Sequence, residues 1–225
     1  MAKVKRKRNK AHKGSVMGRS DIPYAQRIQI QHRTDVVFNR EQAAKITMFC
    51  MCIAMHEIKG VGYKRLVKYS IRYIDNEREF YEDIEVGMDH AKTRMAQIGM
   101  PISGEFFTDK VDGLTKREQN IHDNSLQAIQ VALIVGAITM NDEFGYGQVV
   151  QIRISERVKE LTERYKSEGV KFLLDEMEKI GFEIVNGTVR AYMDDDGNGV
   201  TPKQAKKAWK NEGSKGDASY GNPEN

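Results

Sequence analysis

The sequence predicts a mainly α-helical protein: a tandem duplication of a three-helix unit, with a small β-hairpin near residues 182–193 and disordered termini. Three observations lead there. Shifted by 85 residues, segment 39–63 lies over 124–148 with seven identities in 25 positions: Asn39/Asn124, Gln42/Gln127, Ala43/Ala128, Ile53/Ile138, Met55/Met140, Gly60/Gly145 and Gly62/Gly147. An internal repeat of this kind sets the architecture before any function is considered. Apolar residues also recur at helical spacing, Met88, Ala91, Met95 and Ile98 matching Val170, Leu173, Met177 and Ile180 at a shift of 82. Finally, Asn186-Gly187 separates two alternating apolar runs, the strongest short-range hairpin signal.

The elements follow in order. Residues 1–20 carry eight cations (Lys3, Lys5, Arg6, Lys7, Arg8, Lys10, Lys13 and Arg19), no acid and almost nothing to bury, which predicts a disordered arm. Segment 21–38 is amphipathic and reads as an extended or partly helical packing arm. The first repeat, 39–107, opens on Asn39-Arg40-Glu41-Gln42, and the second, 124–193, on Asn124-Ser125-Leu126-Gln127. Each has the residues of a helix N-terminal capping box. Apolar stretches 46–55 and 131–140 then predict central helices, stopped by Gly60 and Gly145 in the left-handed conformation that ends helices. Second helices are expected over 64–78 and 149–166, where Ser70/Ser155 and Arg72/Arg157 also match. Third helices end at Gly99 and Gly181. Between the repeats, 108–123 reads as a linker; the hairpin packs on the helices or pairs with 102–107. After an acidic turn, Thr201, Pro202 and Gln204 predict a capped short helix to 211, and 212–225 a disordered tail.

Composition limits the function classes. Of 36 Lys+Arg against 32 Asp+Glu, eight basic residues sit in the arm, leaving 28 against 32, a net charge of −4. The basicity therefore belongs to the arm and not to the body. No apolar run approaches the roughly 18 residues of a membrane span, and the N-terminus lacks the apolar core of an export signal. Cys50 and Cys52 stand two apart on one predicted helix, where their side chains diverge, so a disulfide between them is not expected. A cytoplasmic protein without a membrane partner is the expectation.

Candidate sites each have a bland alternative. Asp194, Asp196 and Asn198 occupy the first, third and fifth positions of an EF-hand-like loop, with Gly199 sixth. Ala205 stands where the bidentate carboxylate belongs, so an acidic turn before a helix is the simpler reading. Gly60-Val61-Gly62 and Gly145-Tyr146-Gly147 follow helices rather than strands, which favours helix termination over a phosphate cradle. His56-Glu57 begins like a zinc-protease helix, but Gly60 stands where the second histidine is required. The corresponding pair is Asn141-Asp142. Acids at helix C-termini are disfavoured by the dipole, so salt bridges are expected, with Lys64, Arg65, Arg72 or Arg157 as partners. Cys50 and Cys52 read as core fillers; His32, His56, His90 and His122 are scattered. No enzyme and no cofactor are indicated. The small-residue stripe Ala128, Ala132, Gly136 faces Ala43, Thr47, Met51 in the alignment, which predicts crossing central helices with Met51 over Gly136.

The pattern of apolar helix, acid, Gly-x-Gly and second helix is carried by Ala54-Met55-His56-Glu57-Ile58-Lys59-Gly60-Val61-Gly62-Tyr63 and Thr139-Met140-Asn141-Asp142-Glu143-Phe144-Gly145-Tyr146-Gly147. It resembles short uncharacterised helical proteins of bacteriophages, prophages and plasmids in Gram-positive bacteria. The resemblance covers roughly residues 39–99 and 124–181 and implies no catalytic residues. Two functions are therefore expected. One is a phage-type accessory protein in which the arm binds DNA or RNA through phosphate contacts, largely independently of sequence. The other is an interaction or inhibitor module for a host protein. Oligomeric state stays open.

Overall fold

The computed structural model describes residues 24–102, 111–194 and 199–212. Their order is α1 (Tyr24–Lys59), α2 (Tyr63–Glu82), α3 (Ile84–Ile98), α4 (Lys116–Phe144), α5 (Gln148–Glu168), α6 (Val170–Lys179), β1 (Glu183–Val185), β2 (Thr188–Arg190), β3 (Tyr192–Met193), β4 (Gly199–Val200) and α7 (Pro202–Glu212). The chain is mainly helical, and the helix–Gly-x-Gly–helix–helix sequence occurs twice. α1 and α4 end, and α2 and α5 begin, 85 residues apart.

The long helices start earlier than the sequence suggests. Asn39 and Asn124 are not caps. Both lie within helices, donating from Nδ2 to the carbonyls of Asp35 (2.7 Å) and Asn120 (2.8 Å). Such back-bonding lets an asparagine ride on an exposed helix face. The packing arm from Tyr24 is the first four turns of α1, and the second half of the expected linker is the start of α4. The capping box that does form is Thr115 with Glu118: Thr115 N–H donates to Glu118 Oε2 (2.8 Å) and Glu118 N–H to Thr115 Oγ1 (3.3 Å).

The two Gly-x-Gly turns are built alike. Gly60 (φ 61) and Gly145 (φ 66) take the left-handed conformation, and their N–H groups donate to His56 and Asn141 carbonyls at 2.8 Å. His56 Nδ1–H and Asn141 Nδ2–H then hold the carbonyls of Val61 (3.0 Å) and Tyr146 (3.2 Å). Polar residues of different chemistry thus do one job, fixing the turn that sends the second helix back.

The repeats do not seal separate cores. α1 and α4 run side by side in the same direction, as Asp35 pairs with Arg117 near their starts and Met51 meets Gly136 further on. α2 returns antiparallel along α4, through Lys68–Glu143 (2.8 Å) and Asn76–Thr139 (2.9 Å). α5 returns along α1, through Arg157–Glu57 (2.6 Å) and Thr162–Cys50 (4.0 Å). α3 packs on α4 and α6 on α1. Each central helix therefore buries its apolar surface against the other repeat's second and third helices. Two self-contained modules do not form, because a helix apolar nearly all round needs more cover than its own two short neighbours provide. One core results, from Cys50–Met55 and Leu66–Tyr73 to Val131–Met140, Ile154, Leu161 and Leu173.

The arrangement has an approximate twofold relation. Met51 and Gly136 are equivalent positions and touch each other, which puts the axis between them. Likewise Gly181 comes against Tyr63 and Gly99 against Gln148, Tyr63 and Gln148 being 85 apart and the two glycines 82, the shifts at which the repeats align. An isologous interface has this reciprocity, here within one chain.

The predicted hairpin forms: β1 and β2 pair antiparallel, Ile184 opposite Val189, around Asn186 (φ 51) and Gly187 (φ 73). A second, shorter pair, β3 with β4, was not expected. A Cβ on Gly199 would lie 2.8 Å from the Lys64 carbonyl oxygen and 2.9 Å from Val67 Cβ, so this glycine lets β4 lie flat on α2. α7 is capped as predicted, Gln204 N–H donating to Thr201 Oγ1 (3.3 Å) and Thr201 N–H to Gln204 Oε1 (2.9 Å).

Candidate functional site

The eight arm cations, Lys3 to Arg19, lie outside the described residues. The arm leads into α1, which continues unbroken to the buried centre of the fold.

The acidic turn also falls partly outside: Asp196 and Asn198 are not described, and Asp194 is exposed. Its flanking elements are the strands β3 and β4, not the entering helix of an EF-hand. Gly199 serves contact with α2 rather than a sharp turn. Of segment 102–107, offered as a pairing partner for the hairpin, all but Ile102 lies outside the described residues too. Among the described residues no three His, Cys, Asp or Glu side chains gather to hold a metal, and no helix is long and apolar enough to cross a membrane.

The acids at the helix ends find bases across the repeat boundary. Arg157 grips Glu57 with two prongs, Nε to Oε2 at 2.6 Å and Nη2 to Oε1 at 3.1 Å, and also holds Glu160. These carboxylates push the guanidinium pKa further up. Asp142 is taken by Arg94 of α3, a partner the sequence did not single out. Cys50 and Cys52 are buried free thiols; burial raises their pKa to about 11 and about 12, so they are poor nucleophiles.

Two concavities were not foreseen. The larger, about 980 Å³, lies along the exposed middle of α1 and is lined by Phe38, Arg40, Phe49, Ile74, Tyr81 and Leu174, among others. Phe38 is 59% exposed, and the Arg40 guanidinium sits 4.4 Å from the centre of the Tyr81 ring. The smaller, about 540 Å³, lies between α2, α3 and α4 and is edged by Arg72, Glu79, Glu82, His90 and Arg94. The alignment held one hint: Asn76 stands where its equivalent is Leu161, a polar residue at a core position.

No protein-family model, curated protein or solved structure matches the chain.

Proposed function

We propose that the protein is a phage-type accessory protein that binds nucleic acid, DNA or RNA, without sequence preference through its N-terminal arm, the helical body serving as the scaffold on which the arm is carried. The observation that supports this most is the segregation of charge: eight cations and no acid in residues 1–20, on a remainder of net −4. Clustered basic groups neutralise phosphates and release counterions, which gives affinity without base readout. The acidic remainder repels the duplex and confines contact to the arm.

The test is a salt titration of binding by full-length protein and by residues 21–225. For B-DNA, a slope of log affinity against log salt as steep as about −7 is expected if all eight cations contact phosphate, at about −0.9 each. Truncation removes it. Equal, negligible binding by both chains refutes the reading.

A second reading, an interaction or inhibitor module for a host protein, draws support from the groove along α1. An exposed phenylalanine beside Ile74 and Tyr81 resembles the apolar grooves in which partner helices lie. Under it, Phe38→Asp abolishes capture of the partner while arm truncation does not.

A further inference from the structure

The two halves of the fold differ where the third helix meets the other repeat's central helix. At the matching level between α5, α6 and α1 side chains fill the space, the larger concavity opening further along α1: Leu161 and Leu173 are wholly buried, Phe172 nearly so, and Arg164 lies 4.0 Å over the Phe172 ring. At the equivalent places between α2, α3 and α4 stand Asn76, Ala91 and His90. Smaller or polar residues thus stand where the other half has larger apolar ones, and the cleft of about 540 Å³ lies there. Its floor is apolar, from Phe80, Val135 and Ile138, with the Asn76 amide donating to Thr139 at its back. Stability does not account for this hollow, because filling such a space with leucine and phenylalanine is favourable by several kcal/mol, as the other half demonstrates.

The charges have diverged too. Arg157 is satisfied by the two oxygens of Glu57. Its equivalent, Arg72, lines the cleft together with Asp142, which is one methylene shorter than Glu57 and already engaged by Arg94. No carboxylate takes Arg72 among the described residues. Further along the same α2 face stands Glu79, with Glu82 one turn on, neither of them with a described cationic partner. Seven residues separate Arg72 from Glu79, about 10 Å of helix.

From this geometry we infer that the cleft between α2, α3 and α4 binds a small zwitterion the size of a short peptide, its carboxylate on Arg72 and its ammonium group toward Glu79 and Glu82. The volume lies within the range of small-molecule sites. A carboxylate from the ligand restores at Arg72 the two-pronged pairing that Glu57 gives Arg157, the strong geometry for a guanidinium. A simple anion such as phosphate meets an edge where four carboxylates (Glu79, Glu82, Asp83 and Asp142) oppose two arginines, and is disfavoured. A simple cation leaves Arg72 uncompensated. A molecule with opposite charges at its two ends satisfies both; an extended tripeptide spans about 10 Å, and a central apolar side chain meets the floor. This inference does not rest on nucleic-acid binding by the arm.

The test uses the full-length protein and the tripeptide Gly-Leu-Gly, followed by NMR at the Asn76 side-chain amide and the His90 ring, with the C-terminally amidated and N-acetylated peptides as controls. Saturable shifts at both residues are expected, with a dissociation constant in the millimolar range or tighter. Amidation or Arg72→Gln weakens binding by about tenfold or more. Acetylation or joint replacement of Glu79 and Glu82 by Gln weakens it as well. Arg157→Gln, which breaks the matching structural pair in the filled half, leaves it unchanged. Absence of saturable shifts, equal response to the three peptides, or indifference to Arg72→Gln in a protein that melts like wild type would overturn the proposal.

Discussion

Substitution at Gly136 probes the place where the two repeats meet. A Cβ there falls 2.3 Å from Met51 Sδ, 2.7 Å from Met51 Cε and 3.0 Å from Tyr69 Oη. Carbon contacts settle at about 3.5–4.0 Å, so one methyl requires the thioether to retreat by about 1 Å or more. Little room is available: Met51 is 1% exposed, and the fully buried Tyr69 hydroxyl donates to its sulfur at 3.5 Å. Overpacking of this kind costs about 1–3 kcal/mol, opposed by about 1 kcal/mol from the better helix propensity of alanine. Gly136→Ala should therefore destabilise by about 1 kcal/mol, and Gly136→Leu, which drives a branched chain into the same space, by about 3 kcal/mol or more. Met51→Ala alone should cost about 2–5 kcal/mol through the cavity it leaves. In that background Gly136→Ala changes sign, stabilising by about 1 kcal/mol because the obstruction is gone and the propensity gain remains. The coupling, about 2 kcal/mol, is of the size expected for residues in direct contact. Urea unfolding followed by circular dichroism measures all four variants. A Gly136→Leu protein within about 0.5 kcal/mol of wild type, the surface norm, or the same effect of Gly136→Ala in both backgrounds, refutes the contact.

Two further outcomes follow from particular contacts. Gly199→Ala places a methyl against the backbone of Lys64, which cannot rotate aside; β4 should lift from α2 at a cost of about 1–3 kcal/mol, read as faster limited proteolysis after Met193. The buried thiols make the protein alkali-sensitive. Because burial raises Cys50 and Cys52 from 9.0 to about 11 and about 12, the unfolded chain loses their protons first. Their contribution is intact below about pH 9 and is lost as pH rises from there toward the folded values. The urea midpoint should fall across that window, less steeply in Cys52→Ala, and native thiols should resist alkylation at pH 8; ready alkylation without unfolding contradicts the burial.

Residues whose role is local could be read from the sequence. Glycines after apolar helices, Asn-Gly between alternating runs and the Thr201–Gln204 pair each act through their own neighbours, and each does so here. Helix starts were misplaced because Asn39 and Asn124 match between the repeats while the residues before them do not. Similarity between the repeats does not mark a helix boundary: the real cap, Thr115 with Glu118, has no counterpart in the alignment. The Met51–Gly136 contact was readable because one periodic stripe carried a large residue in one copy and none in the other. The exchange of second and third helices between repeats was not, since the same apolar faces serve equally well for a partner in cis or across the axis. Both concavities escaped for a related reason: each is walled by residues far apart in the chain, and the Arg72–Asp142–Arg94 geometry depends on how the repeats interlock.

That interlocking is tested most directly by cutting the chain between the repeats and following residues 1–110 and 111–225, alone and mixed, by circular dichroism and light scattering. A fold in which each central helix is covered by the other repeat predicts that neither piece is a stable monomer, and that mixing restores helix content and cooperative melting in a 1:1 complex. Two monomeric halves that each melt cooperatively and ignore one another would contradict it.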